Sequence, residues 1–227
     1  MKRLTLMGLA ALFGLLLGAC GLVPPVSVTD PLKLDGEALE VTAGQAAGIS
    51  AQQVPASGGT AEPKQFADQD LGIPVNPSSL TVNGGLSSNV TVIAGAYPDS
   101  LELSDIDLTV RLWDGPDAFD AAPADRRVET EASWTGTLSL SRTDECTVPQ
   151  EPCTYSFDDA ELASASLRVQ LSGNDLSTLL AVIQESPQPN YVEATVTMTV
   201  AGSGFDLSAG DRLIFELNMA DGEVRVL

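Results

Sequence analysis

The 227-residue chain has no histidine and only three lysines, Lys2, Lys33 and Lys64. Without histidine there is no Ser-His-Asp or Cys-His nucleophile system and no imidazole metal site. None of the lysines sits in a glycine-rich phosphate loop, so nucleotide-binding loops of that type are excluded. Positive charge is scarce throughout: Lys+Arg total 11 against Asp+Glu 31, giving a net charge of −20 and a pI near 4.1. A body this acidic repels phosphate backbones, which excludes nucleic acid as a partner. Aromatic residues make up only 5% of the chain, too few for a broad sugar-stacking platform. No apolar run reaches the 18 or so residues that a membrane-spanning helix needs.

The apolar run that does exist is at the start. Lys2 and Arg3 precede Leu4 to Leu17, 14 residues interrupted only by Thr5, Gly8 and Gly14. That is a short positive segment followed by a signal-peptide hydrophobic region. It ends in Leu17-Gly18-Ala19-Cys20. This resembles the lipobox of bacterial lipoproteins, with leucine at −3, small residues at −2 and −1, and cysteine at +1. The resemblance covers residues 1–21. It implies a diacylglyceryl thioether on Cys20, cleavage between Ala19 and Cys20, and acylation of the new amino terminus. In two-membrane bacteria, aspartate after the lipidated cysteine is associated with inner-membrane retention. Gly21 therefore points to the outer membrane where there is one, and otherwise to the outer face of the plasma membrane. Several acyl chains give stable anchoring where one is marginal. Removing residues 1–19 takes away Lys2 and Arg3 and no acid, moving the net charge from −20 to −22. Such a charge keeps the domain from lying flat on anionic lipid.

With Cys20 assigned to lipid, Cys146 and Cys153 remain. An exported chain meets an oxidising compartment, where such a pair closes. Redox chemistry would favour a two-residue spacing, and a metal site would need further thiols or histidine. The pair is expected to be a structural disulfide on a hairpin loop.

Past the signal, residues 20–31 carry Pro24, Pro25 and Pro31 and read as a tether. Residues 32–64 read as a hairpin-like segment turning at Asp35-Gly36, then a flexible Ala/Gly/Gln/Ser loop. From residue 65 to 227 the strand period dominates. Ile106, Leu108, Val110 and Leu112 alternate with Asp107, Thr109 and Arg111. Val192, Ala194, Val196, Met198 and Val200 oppose Glu193, Thr195, Thr197 and Thr199. Strict alternation with a polar outer face means antiparallel strands buried on one side. Asp221-Gly222 is expected to turn a last hairpin. One helix, about 174–185, interrupts: Asn174 is its N-cap, and Leu176, Leu179, Leu180 and Ile183 form one stripe. Pro187 and Pro189 stop it. The expected fold is all-β, an antiparallel β-sandwich-like domain with this one short helix covering an open end or face, and a flexible N-terminal tether.

Candidate chemistry rests on carboxylates. Asp114, Asp117 and Asp120 follow strand 106–113 at a spacing of three. Calcium takes six to eight oxygens from such loops, but the EF-hand pattern of acids is missing, so a solvated acidic loop is the expectation. Asp158, Asp159 and Glu161 offer a carboxylate pair for glycoside hydrolysis, which needs no histidine. Neighbours on a strand point to opposite faces, however. Trp113, Trp134, Tyr97, Tyr155 and Tyr191 are the side chains from which a sugar platform would be built, and Trp113 is expected in the core. The functional expectation is a lipid-anchored envelope protein with an exposed, non-catalytic β domain for binding or envelope structure. Its partners would be the membrane and an envelope protein or glycan, and it would need no cofactor beyond the covalent lipid on Cys20. A carboxylate-based hydrolase and a carrier of an apolar ligand are the alternatives.

Overall fold

The computed structural model describes residues 24–43, 53–60, 62–68, 70–72, 77–184, 189–202 and 211–226. Ala19, Cys20 and the rest of the lipobox lie outside the described residues. Eleven strands form one sheet in which all pairings are antiparallel. They are β1 (Val26–Thr29), β2 (Ala38–Ala43), β3 (Gln53–Gly59), β4 (Lys64–Phe66), β5 (Pro77–Ile93), β6 (Ser100–Asp114), β7 (Arg127–Arg142), β8 (Cys153–Phe157), β9 (Leu167–Ser172), β10 (Asn190–Ala201) and β11 (Arg212–Val226). Among the described residues two α-helices, α1 (Asp159–Ser164) and α2 (Gly173–Gln184), join them.

The pairings close on themselves. β11 bonds to β2, β2 to β3, β3 to β10, β10 to β6, β6 to β7, β7 to β8, β8 to β5, and β5 back to β11. Sandwich and barrel thus meet in one ring of eight strands. The closure depends on the two long strands β5 and β11. The first half of β5 lies between β9 and β11, and its second half between β8 and β11. β11 pairs in the same way with β2 at its start and β1 at its end. Register shifts along the β5–β11 ladder bend the strands between these neighbours.

The alternating pattern buries what the sequence marks. Leu101, Leu103, Ile106, Leu108, Val110 and Leu112 of β6 all belong to one apolar cluster inside the ring. The inward parity changes between Leu103 and Ile106, where the β6–β7 register shifts and Asp105 takes a left-handed φ of 53°. That one-residue bulge keeps both halves of the strand facing the core. α2 packs on β5, β6, β7 and β9 and buries Leu176, Leu179, Val182 and Ile183. It begins at Gly173, one residue before the expected cap Asn174.

Four expectations are corrected. Residues 26–29, read as part of the tether 20–31, form β1 against the end of β11. Residues 53–59, read as flexible loop, form β3 between β2 and β10. Gly58 and Gly59 are there because a Cβ would overlap the Glu40 and Ala194 carbonyls of the neighbouring strands, not to loosen the chain. Asp35-Gly36 does not turn a hairpin: β2 pairs with β11 and β3, while residues 30–37 form a turn in which Asp30 accepts the Leu34 amide at 3.0 Å. Asp221-Gly222 runs straight through β11. A Cβ on Gly222 would lie 2.8 Å from Val28 Cγ2 and 2.9 Å from Pro31 Cγ, so this glycine makes room for the N-terminal strand.

Candidate functional site

Strand directions sort the connections into two ends. One end carries the start of β1, the β6–β7 connection 115–126, α2 and the start of β10. The other carries the β5–β6 connection 94–99, the disulfide loop 143–152 and Asp211. Each end holds part of the candidate chemistry.

At the helix end, β6 finishes in Leu112-Trp113-Asp114, all three buried. Leu112 points into the ring. Trp113 lies on the opposite face of the strand from that cluster and is nevertheless fully buried, in keeping with the packing role expected of it. It is covered instead by the connection folding back over the sheet. Tyr191 stacks on it at 5.4 Å, Phe119 meets it edge-on at 5.6 Å, and its Nε1–H donates to Pro116 O at 2.7 Å. Arg111 and Arg127 each lie 5.2 Å from the Phe119 ring centre.

The three loop carboxylates do not converge. Asp114, 3% exposed, is gripped by Arg126 through Nε at 3.0 Å and through Nη2. That bond holds the Arg126 guanidinium above its ordinary range. Asp117 accepts the Tyr191 hydroxyl at 2.7 Å, which raises the tyrosine. Asp120 is almost fully exposed and lies 3.6 Å from Arg127. The expected solvated loop is therefore solvated only in part, because Asp114 is structural. Among the described residues no group of three or more acids or cysteines is placed to hold a metal ion. Beside this cluster Asn190, also buried, donates to Asp68 at 2.7 Å.

Asp158, Asp159 and Glu161 border a groove of about 610 Å³ shared with Ser88, Asn89, Ser139, Ser141, Ser156 and Phe157. Asp158 caps α1, accepting from Ala160 N at 2.9 Å and Glu161 N at 3.1 Å. Glu161 is bound to Ser139 N at 2.5 Å and Ser139 Oγ at 3.2 Å. Two of the three carboxylates thus hold the backbone, leaving Asp159 exposed at the rim.

At the opposite end Cys146 and Cys153 are bonded, with Cα atoms 5.8 Å apart. The loop they close is fastened from several sides. Gln150 N donates to Ala94 O at 2.9 Å, and Gln150 Nε2 to Asp211 Oδ1 at 3.0 Å. Asp211, buried, also accepts Gly95 N at 3.1 Å. Tyr97 donates to Glu151 O and Tyr155 to Pro98 O at 2.6 Å. Burial pushes the Tyr155 phenol up to about 12. Val148, 49% exposed, is the one exposed large apolar side chain among the described residues.

The aromatics are thereby divided: Trp113 and Tyr191 at one end, Tyr97 and Tyr155 at the other, with no shared platform. Sequence reasoning found the cysteines and the acids. It missed Arg126, Gln150, Asn190 and Asp211, which act through partners 12 to 122 positions away. Compared with protein-family models, with curated proteins and with solved structures, the chain matches none of them.

Proposed function

We propose that this is a lipid-anchored envelope protein, held by acyl chains on Cys20, whose β domain works by binding or by reinforcing the envelope rather than by catalysis. The observation that carries the reading is Leu17-Gly18-Ala19-Cys20 closing a 14-residue apolar run. The Cys146–Cys153 bridge is in keeping with export to an oxidising compartment. The hydrolase alternative is weakened because Asp158 and Glu161 are committed to backbone amides. The carrier alternative is weakened because a single apolar cluster, including Leu176, Leu179 and Ile183 of the helix, occupies the interior. Gly21 favours outer-membrane delivery where such a membrane exists.

The test is metabolic labelling with a palmitate analogue. The wild-type chain should take up label and lose residues 1–19. Cys20→Ala should take up none and keep its leader. A wild-type chain without label would overturn the proposal.

A further inference from the structure

The anchor and the fold together set an orientation. Lipid on Cys20 is followed within six residues by Val26, the first residue of β1. Six residues reach at most about 20 Å when fully extended. Val26 pairs with Val224 at the end of β11, so the tether leaves the domain from the helix end. β6, 15 residues long, runs between the two ends. At about 3.3 Å per residue and a barrel tilt of about 40°, it separates them by about 35 Å. The helix end therefore cannot move far from the bilayer, and the disulfide end lies well beyond the tether's reach.

Charge decides how the near end meets the lipid. Asp117, Asp120 and Asp125 on the β6–β7 connection and Asp175 on α2 outnumber Arg126, Arg127 and Arg225. Arg126 is already spent on Asp114, and Arg127 is shared with Asp120. The aromatic rings that would insert into a membrane interface are turned onto one another instead: Trp113 is buried beneath Phe119 and Tyr191. Among the described residues this end offers one exposed arginine without an ion pair, Arg225 beside the start of β1, against four acids, and no fully exposed ring for the interface.

We propose that the domain stands on the membrane on its α2-bearing end, held off the lipid by that end's acids, and presents the disulfide-laced end to the compartment. The orientation rests on the anchoring reading above, and one experiment separates the two. Ala118 and Ala96 are exposed, one at each end. Ala118→Cys and Ala96→Cys are prepared separately in the lipidated, oxidised protein, labelled with a donor dye, and reconstituted into phosphatidylcholine vesicles carrying an acceptor lipid. Energy transfer from position 118 should exceed that from position 96 several-fold. Equal transfer would mean a domain lying on its side and would overturn the orientation, as would stronger transfer from 96. Protein that fails to stay with the vesicles at all would instead overturn the anchor, and the orientation with it.

Discussion

At the residue scale the most committed side chain is Asp114. A buried carboxylate is tolerated because Arg126 meets both its oxygens. Removing one partner of such a pair leaves the other uncompensated, at about 3–5 kcal/mol for full burial. Arg126 keeps a quarter of its side chain in solvent, so Arg126→Ala should cost about 2–3 kcal/mol, scaled down for that exposure. Chemical denaturation will measure it, and a loss under about 0.5 kcal/mol would place the pair with ordinary surface bridges. Tyr155 gives the second residue-scale prediction. Its phenol titrates at about 12 in the folded protein against 10.0 ordinarily, because burial disfavours the phenolate. The folded state thus holds this proton more tightly than the unfolded one. The associated stability is complete below pH 10 and is lost as pH rises through about 12. Ultraviolet titration of the three tyrosines should show a last step near pH 12 that is missing in Tyr155→Phe. A last step that survives the substitution would assign it elsewhere.

At the element scale the disulfide loop and α2 are the tests. Closing a loop of about 8 residues is worth about 2.5 kcal/mol on the chain-entropy account. Cys153→Ser should lower stability by about that amount, plus the loss of a buried group. A native protein whose thiols both label freely would contradict the bridge itself. Leu179→Ala on α2 removes a fully buried leucine from the core cluster and should cost about 2–5 kcal/mol, read from the denaturation midpoint. These elements were also the legible ones. The Leu stripe marked α2, and the alternation at 106–112 and 192–200 marked β6 and β10, because each depends on local period alone. Turn chemistry misled where glycine answered a tertiary need. Gly58, Gly59 and Gly222 are small because another strand passes close by. No local rule separates that from a turn or a linker. The bulge at Asp105 hid the first half of β6 in the same way, by reversing the inward parity. Of the candidate site, the cysteines could be read from spacing and export. The partners of Asp114, Asp158 and Glu161 could not, because whether a carboxylate is free or occupied is settled by what the fold brings beside it.

At the scale of the whole molecule the governing fact is charge: −20 on the full chain and −22 once residues 1–19 are removed. Net charge of one sign destabilises a compact state through self-repulsion, and salt screens it. The melting temperature of the domain should therefore rise with ionic strength. Divalent ions will raise it too, so a calcium shift by itself says nothing about a site. The acidic connection after β6 makes the distinction worth drawing. Asp114 is bound to Arg126, Asp117 to Tyr191, and Asp120 points into solvent near Arg127. A calcium ion wants six to eight oxygens converging on one point, and these three carboxylates diverge. A weak site near 10⁻³ M, at tenfold excess of ion, would add only about 1.4 kcal/mol. Calcium and magnesium at matched ionic strength should thus shift the melting temperature equally, in wild type and in Asp117→Asn alike. A calcium-specific shift that disappears in Asp117→Asn would mean that the loop rearranges around an ion, drawing Asp117 away from Tyr191. The expected equality instead makes the acids a solvation and repulsion layer, the property that would hold the helix end off an anionic surface.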